Sequence, residues 1–209
     1  RLLVTGGAGV GLVVAWAAWP RRYAPNLVPG RGEHVFGPYI KIAEDGRIVV
    51  AVPQAETGQG VFTTLPQIVA DELGADWRTV GIEAAPINPL YANTLFAEEL
   101  AGDIAPRMTA FADTFATRSA LMATAGSTSA RMYEGPLREA AAGARARLCM
   151  VAAKRWGVAW EACETENGFV VHEGKRFRFG DLAADAAELD APEPPPMRIA
   201  DGERLSGQS

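Results

Sequence analysis

Cysteine and histidine are nearly missing from this chain, with two of each among 209 residues. Cys149 and Cys163 form no CxxC or other metal-thiolate spacing, which argues against a zinc or iron-sulfur site made by this chain alone. A disulfide between them and two buried free thiols are both open readings, and free thiols are the favoured one. His34 and His172 lie far apart and beside no cluster of ligand-type residues. Ordinary surface or core roles are therefore expected for both, and no Ser-His-Asp or Cys-His pairing is suggested. A basic excess is also lacking: 20 Lys and Arg stand against 25 Asp and Glu, for a net charge of -5. Nucleic acid is thus excluded as the main partner, because phosphate binding needs a concentrated basic face. No Gly-Lys-Ser/Thr phosphate-loop ending and no internal repeat occur.

Apolar residues are plentiful, at 48% of the chain, enough for a sizeable core in one or two domains. The amino terminus carries an uncharged run, residues 2–19, preceded by Arg1 and closed by Pro20, Arg21 and Arg22. A basic start, an apolar middle and a proline end are the pattern of an export signal or a membrane anchor, expected over residues 1–22. Arg1 directly before two leucines would suit the second arginine of a twin-arginine signal. The same run holds GGAGVGL, the kind of glycine pattern found in dinucleotide sites. Its surroundings fit poorly. The following segment is apolar on all sides, and the nearest downstream acid, Glu33, falls in a Pro- and Gly-rich stretch.

Residues 23–37 read as a linker, 38–190 as an α/β body of mixed α+β character, and 191–209 as a proline-rich exit. Within the body, residues 39–42 and 47–52 predict a β-hairpin turning at Glu44, Asp45 and Gly46, its second strand buried on both faces. A helix capped by Thr63 or Thr64 should run to Gly74, with Pro66 in its first turn, followed by a short strand over residues 80–84. Residues 86–105 read as loop and 108–122 as helical. A long helix is expected over residues 135–156, stopping at Gly157. A second hairpin around Glu173 and Gly174 and a short helix over residues 179–189 complete the body.

Two loops carry the candidate chemistry. In Glu56-Thr57-Gly58-Gln59-Gly60, flanking glycines permit unusual backbone angles. The loop amides could donate to an anion, helped by the helix start that follows, and Gln59 can both donate and accept. In residues 124–129, small side chains leave space, and hydroxyls with amides offer hydrogen bonds to phosphate or heterocycle edges. Either loop alone could equally be a plain turn or helix cap.

Taken in order, the two segments have a familiar form. Residues 49–77, with QAETGQGVFTTLPQIVADELGADW, resemble the E-M-G-Q-G-x-x-T segment and following helix of the molybdopterin-binding large subunit of molybdenum hydroxylases, the xanthine dehydrogenase and aldehyde oxidase family. ATAGSTSARMYEGPLREAAAGARARL resembles that family's later T-G-G-S-x-S-x-R segment and alanine-rich helix. Within that family the chain resembles the isoquinoline 1-oxidoreductase beta-subunit branch, where these segments lie near the amino terminus and an export signal is familiar. The resemblance covers residues 37–190. Thr57 stands where Met is usual and Ala125 where Gly is frequent, and residues 93–122 are long for the family.

The resemblance implies a partial molybdopterin-binding domain, incomplete on its own, that holds a molybdenum-molybdopterin cofactor jointly with the rest of the subunit. It implies contacts from Gly58, Gln59, Gly60, Thr124, Ala125, Gly126, Ser127 and Ser129, with Ala125 and Gly126 near the metal. The family's catalytic base is a glutamate in a later segment, so Glu56, Glu98 and Glu99 are poor candidates and Glu56 is expected to shape its loop. The remainder of the large subunit or a second catalytic chain, an iron-sulfur small subunit and a small-molecule substrate would be the partners. A periplasmic or membrane-associated location would follow from the amino terminus. The expected activity is oxidation of aldehydes or hydroxylation of N-heterocycles with water as oxygen source. The competing expectation is a non-catalytic exported or membrane-anchored interaction module without molybdenum. A third is nucleotide binding at GGAGVGL, lost on Gly9→Val.

Overall fold

The computed structural model describes residues 21–104 and 109–198, with isolated positions at 12, 15 and 19. The expected export signal or anchor, the GGAGVGL pattern and the end of the exit segment therefore lie almost wholly outside the described residues. Among the described residues, no helix is long and apolar enough to cross a membrane.

The fold is a mixed α/β arrangement built on one four-stranded sheet, its strands side by side in chain order, and a smaller three-stranded sheet. The expected hairpin is β2 (Ile40–Ala43) and β3 (Ile48–Val52), antiparallel with Ile40 opposite Val50 and Ile42 opposite Ile48. Every residue of β3 is buried, because β2 and β4 (Val80–Ala84) flank it and a helix covers it. β1 (Glu33–Phe36) forms inside the segment read as linker and pairs antiparallel with β2. Only Phe36 of this strand is buried, so no alternation announced it; pairing to β2 and the ion pair from Glu33 to Lys41, 3.2 Å, hold it in place.

Helix α1 (Val61–Leu73) connects β3 to β4, which run parallel. Val61, Leu65, Val69 and Leu73 are buried along one stripe at a spacing of four residues. Its cap differs from expectation. Gly60, left-handed at φ 88°, starts the helix, and its carbonyl accepts from Thr63 and Thr64 at 3.0 and 2.9 Å. Pro66 consequently lies in the second turn, where its missing N–H leaves the Phe62 carbonyl without the usual helical donor.

A larger difference follows β4. The stretch read as loop contains α2 (Thr94–Ile104), which pairs with α3 (Thr109–Ser119) in a helical hairpin. Among the described residues its shared core is Ala97, Ala112 and Ala116, with Ala101 and Leu121 beside them, a small apolar signal to read by periodicity. Helix α4 (Thr128–Trp156) starts earlier than expected and ends at Gly157 as expected, φ 72°. Leu137, Ala141, Ala144 and Leu148 of α4 are fully buried in the main core with Leu65, Val69 and Leu73 of α1.

The small sheet contains the expected hairpin, β6 (Phe169–His172) and β7 (Lys175–Arg178), turning at Glu173 and Gly174. It also contains an unexpected third strand, β5 (Glu164–Glu166), joined to β6 through Asn167 and Gly168, φ 48° and 80°. Helix α5 (Phe179–Ala187) packs on β1, β2 and α4. Cys149 and Cys163 are buried free thiols, and burial pushes the Cys149 thiol up to about 12.

Candidate cofactor site

The loop after β3 is folded around a carboxylate. Glu56 Oε1 accepts from the amides of Gly58 and Gly60 at 2.7 and 3.1 Å, and Oε2 accepts from that of Phe62 at 3.0 Å. Left-handed backbone at Gly58, φ 102°, and Gly60 turns these amides inward. The Phe62 bond first, then those from Gly60 and Gly58, hold the Glu56 carboxyl below its usual value. Glu56 thus shapes the loop, as expected. The amides that the sequence offers to a ligand anion are taken here by the chain's own carboxylate. Gln59 is also engaged. Its Oε1 accepts from the Thr57 amide and hydroxyl at 2.6 and 2.8 Å, and its Nε2 donates to the Ala55 carbonyl at 2.7 Å.

The second loop meets the first at that same carbonyl. Thr124 Oγ1 donates to Ala55 O at 3.0 Å, bridging 69 residues of sequence, and lies 3.0 Å from Ser129 Oγ. The Ala55 amide donates to Met122 O at 3.3 Å. Gly126 and Ser127 are both left-handed, φ 57° and 59°, and this turns the chain into α4. A serine in that conformation is uncommon, and it sits at the helix start.

Between the loops lies a cleft of about 270 Å³. Of the residues expected from the sequence, Gln59, Thr124, Ala125, Gly126, Ser127 and Ser129 line it; Gly58 and Gly60 do not, although they build the loop that does. Thr57 of the first loop, Val61, Thr64 and Leu65 from the first turns of α1, and Ala130 from α4 complete the described lining and were not singled out as contacts. The spacing of Thr64 from Gly60 was the available signal, hidden by placing the helix start too late. Among the described residues no charged side chain lines the cleft, and the first turns of both helices border it. Such a setting favours an anionic or polar ligand, with donors from the Ser127 and Ser129 hydroxyls and from the first-turn amides of α4, since those of α1 are taken within the chain. A Cβ placed on Gly58 or Gly60 would meet nothing within 4 Å, so the approach is open.

His34 and His172 are remote from this cleft; His34 Nε2 lies 3.4 Å from Glu44 and His172 Nδ1 lies 2.9 Å from Ala162 O. Glu99 pairs with Arg131 at 2.6 Å.

Residues 6–89 match the molybdopterin cofactor-binding domain family, a stretch that includes the Glu56 loop. The chain is 33% identical over 149 residues to the isoquinoline 1-oxidoreductase subunit beta of Brevundimonas diminuta, covering 70% of this chain and 16% of that protein. The chain carries a molybdopterin-binding segment of the xanthine dehydrogenase family. This molybdopterin-binding segment is also 28% identical, over an alignment 215 positions long, to the membrane-bound aldehyde dehydrogenase (pyrroloquinoline-quinone) of Gluconacetobacter polyoxogenes, covering 100% of this chain and 24% of that protein. Among solved structures, quinoline 2-oxidoreductase from Pseudomonas putida 86 is similar with a TM-score of 0.48 and 24% identity, covering 72% of this chain and 16% of that one. The segment thus spans about a sixth to a quarter of the length of the curated relatives it matches.

Proposed function

We propose that this chain forms part of the molybdopterin site of a molybdenum hydroxylase large subunit that oxidises aldehydes or hydroxylates N-heterocycles with water as oxygen source. The observation that carries the reading is the junction at Ala55, which brings two loops distant in sequence onto one uncharged, hydroxyl-lined cleft. When bound, the cofactor supplies a metal centre able to accept an electron pair from the substrate. The residues of this chain bind and orient it. Ser127, Ser129 and the first-turn amides of α4 offer donors to its anionic or heterocyclic edge, while Thr57, Gln59 and Thr64 form the opposite wall. Gly58 and Gly60 act by letting Glu56 gather the loop.

No catalytic base is assigned to this chain. Glu56 is committed to backbone amides and Glu99 to Arg131. The base, the remaining cofactor contacts and the substrate pocket belong to the rest of the subunit or to a second catalytic chain. Electrons would leave through iron-sulfur clusters on a small subunit. A periplasmic or membrane-associated location accompanies this reading through the apolar run at residues 2–19.

One observation favours the second reading, a non-catalytic interaction module: the amides and the carboxamide of the first loop are satisfied within the loop, as in an ordinary structural turn. Metal content separates the two. Molybdenum, pterin and pyrroloquinoline quinone should be quantified in the natively purified assembly, with the mass of every co-purifying polypeptide. Stoichiometric molybdenum and pterin are expected. Their absence from cells that make the cofactor would overturn the proposal, and quinone in their place would move the site to a different redox class.

A further inference from the structure

No described residue of the α2–α3 hairpin lines the cleft, yet the hairpin is fastened to the loop that makes half of it. Asn93 is the fastening. It is fully buried, at 0% exposure, and its polar groups are engaged. Its amide donates to Leu121 O at 2.7 Å, closing the base of the hairpin. Its Nδ2 donates to Ala123 O at 3.0 Å and to Thr128 Oγ1 at 2.9 Å. Its Oδ1 accepts from the Phe96 amide at 3.0 Å, capping α2.

One carboxamide therefore holds the start of the hairpin and both ends of the cleft loop. Thr128 Oγ1 relays this inward by donating to Ala125 O at 2.6 Å. Farther along α2, Glu99 Oε1 accepts from Arg131 Nη1 at 2.6 Å, and a Cβ on Gly126 would lie 3.8 Å from Glu99 Oε2. The left-handed pair Gly126 and Ser127 is thereby held between α2 and α4. A buried network of this kind fixes one arrangement because each unmet group would carry a desolvation cost. Asp at position 93 would set a carboxylate oxygen against the Ala123 carbonyl, so the carboxamide is specifically required.

We infer that the α2–α3 hairpin is the element that sets the shape of the loop at residues 124–129, with Asn93 as the positioning residue through which it acts on the molybdopterin cleft. The effect on the cofactor rests on the proposed function; the hold on the loop does not.

The test compares the full-length, cofactor-bearing assembly with its Asn93→Ala and Thr128→Val variants. Three quantities are read: pterin per protein, amide exchange over residues 124–130, and the thermal midpoint. Thr165→Val serves as the control, since Thr165 is a buried hydroxyl in the small sheet that donates to Leu73 O at 2.8 Å, away from the cleft. Asn93→Ala should lower pterin content on the order of fivefold and speed exchange in the loop, while the control keeps both even where it lowers the midpoint. Full pterin with unchanged exchange in the variants would overturn the inference. So would an equal pterin loss in Thr165→Val, which would mark a general loss of stability. Should Asn93→Ala fail to fold, Thr128→Val is judged by the same criteria. Should the unaltered assembly hold no pterin, the functional reading fails separately, and the exchange measurement alone decides whether the hairpin holds the loop.

Discussion

At Glu56 a carboxylate occupies the place a bound anion could otherwise take. Its folded value is lowered by the amides of Phe62, Gly60 and Gly58, so its contribution to loop order is present above the ordinary carboxyl value of 4.5 and is lost as pH falls through the lowered value. Amide exchange over residues 56–62, corrected for intrinsic rate, should therefore be flat from neutral pH down to that ordinary value and rise only below it. Loosening between neutrality and that value would contradict the assignment. Gln59→Ala removes the two acceptances from Thr57 and the donation to Ala55 O. It should lower molybdenum occupancy of the full assembly by about three- to tenfold, the scale of one or two net hydrogen bonds. Unchanged occupancy would count against Gln59 as part of the site. Both residues stood out in the sequence as parts of a polar glycine loop. Their partners did not, because which amides a carboxylate reaches depends on the left-handed turns at Gly58 and Gly60, and a string of residue types does not specify them.

Among the elements, those with a strong apolar period were legible. The stripe of α1, the long apolar face of α4 and the fully buried β3 all follow from local patterning. The boundaries were less so. α1 begins at a left-handed glycine with no side-chain cap, and α4 begins after a left-handed serine, so neither start carries a recognisable cap signal. α2 and β1 were missed because their order comes from partners: Asn93 and α3 for the helix, β2 for the strand. Close approach between elements gives a direct test. A Cβ on Gly180, in the first turn of α5, would collide with the Glu44 carbonyl and the Gly46 amide of the β2–β3 turn. Gly180→Ala should destabilise the protein by roughly 1–3 kcal/mol, read as a lower urea midpoint. A midpoint equal to the unaltered protein would show that α5 can move away from the sheet freely.

For the molecule as a whole, the exit segment is part of the folded body as far as residue 198. Glu72, 1% exposed in α1, accepts from the Arg198 amide at 2.8 Å and pairs with Arg145 of α4 at 3.1 Å. Arg145 also donates to the Pro196 carbonyl. This ties α1, α4 and the proline-rich stretch into one unit. Glu72→Ala leaves Arg145 with a lost partner in a half-closed setting, and a cost of about 3–5 kcal/mol is expected from broken buried pairs. Urea unfolding would measure it, and a change within experimental error would mean that the arginines find other partners.

The sequence by itself determined the mixed α/β class, the main hairpin, the two long helical stripes and the two loops worth attention. Each of these depends on residues near one another in the chain, through periodicity, turn chemistry or glycine placement. Only the tertiary structure decided that the two loops share one cleft, since the contact that joins them, Thr124 to Ala55, spans 69 positions. It also decided that Glu56 reaches the first loop's amides, and that Asn93 links an otherwise unassigned hairpin to the second loop. Hydrogen bonds between distant segments depend on where packing of α1 against α4 and the sheet places them, and no local pattern encodes that position.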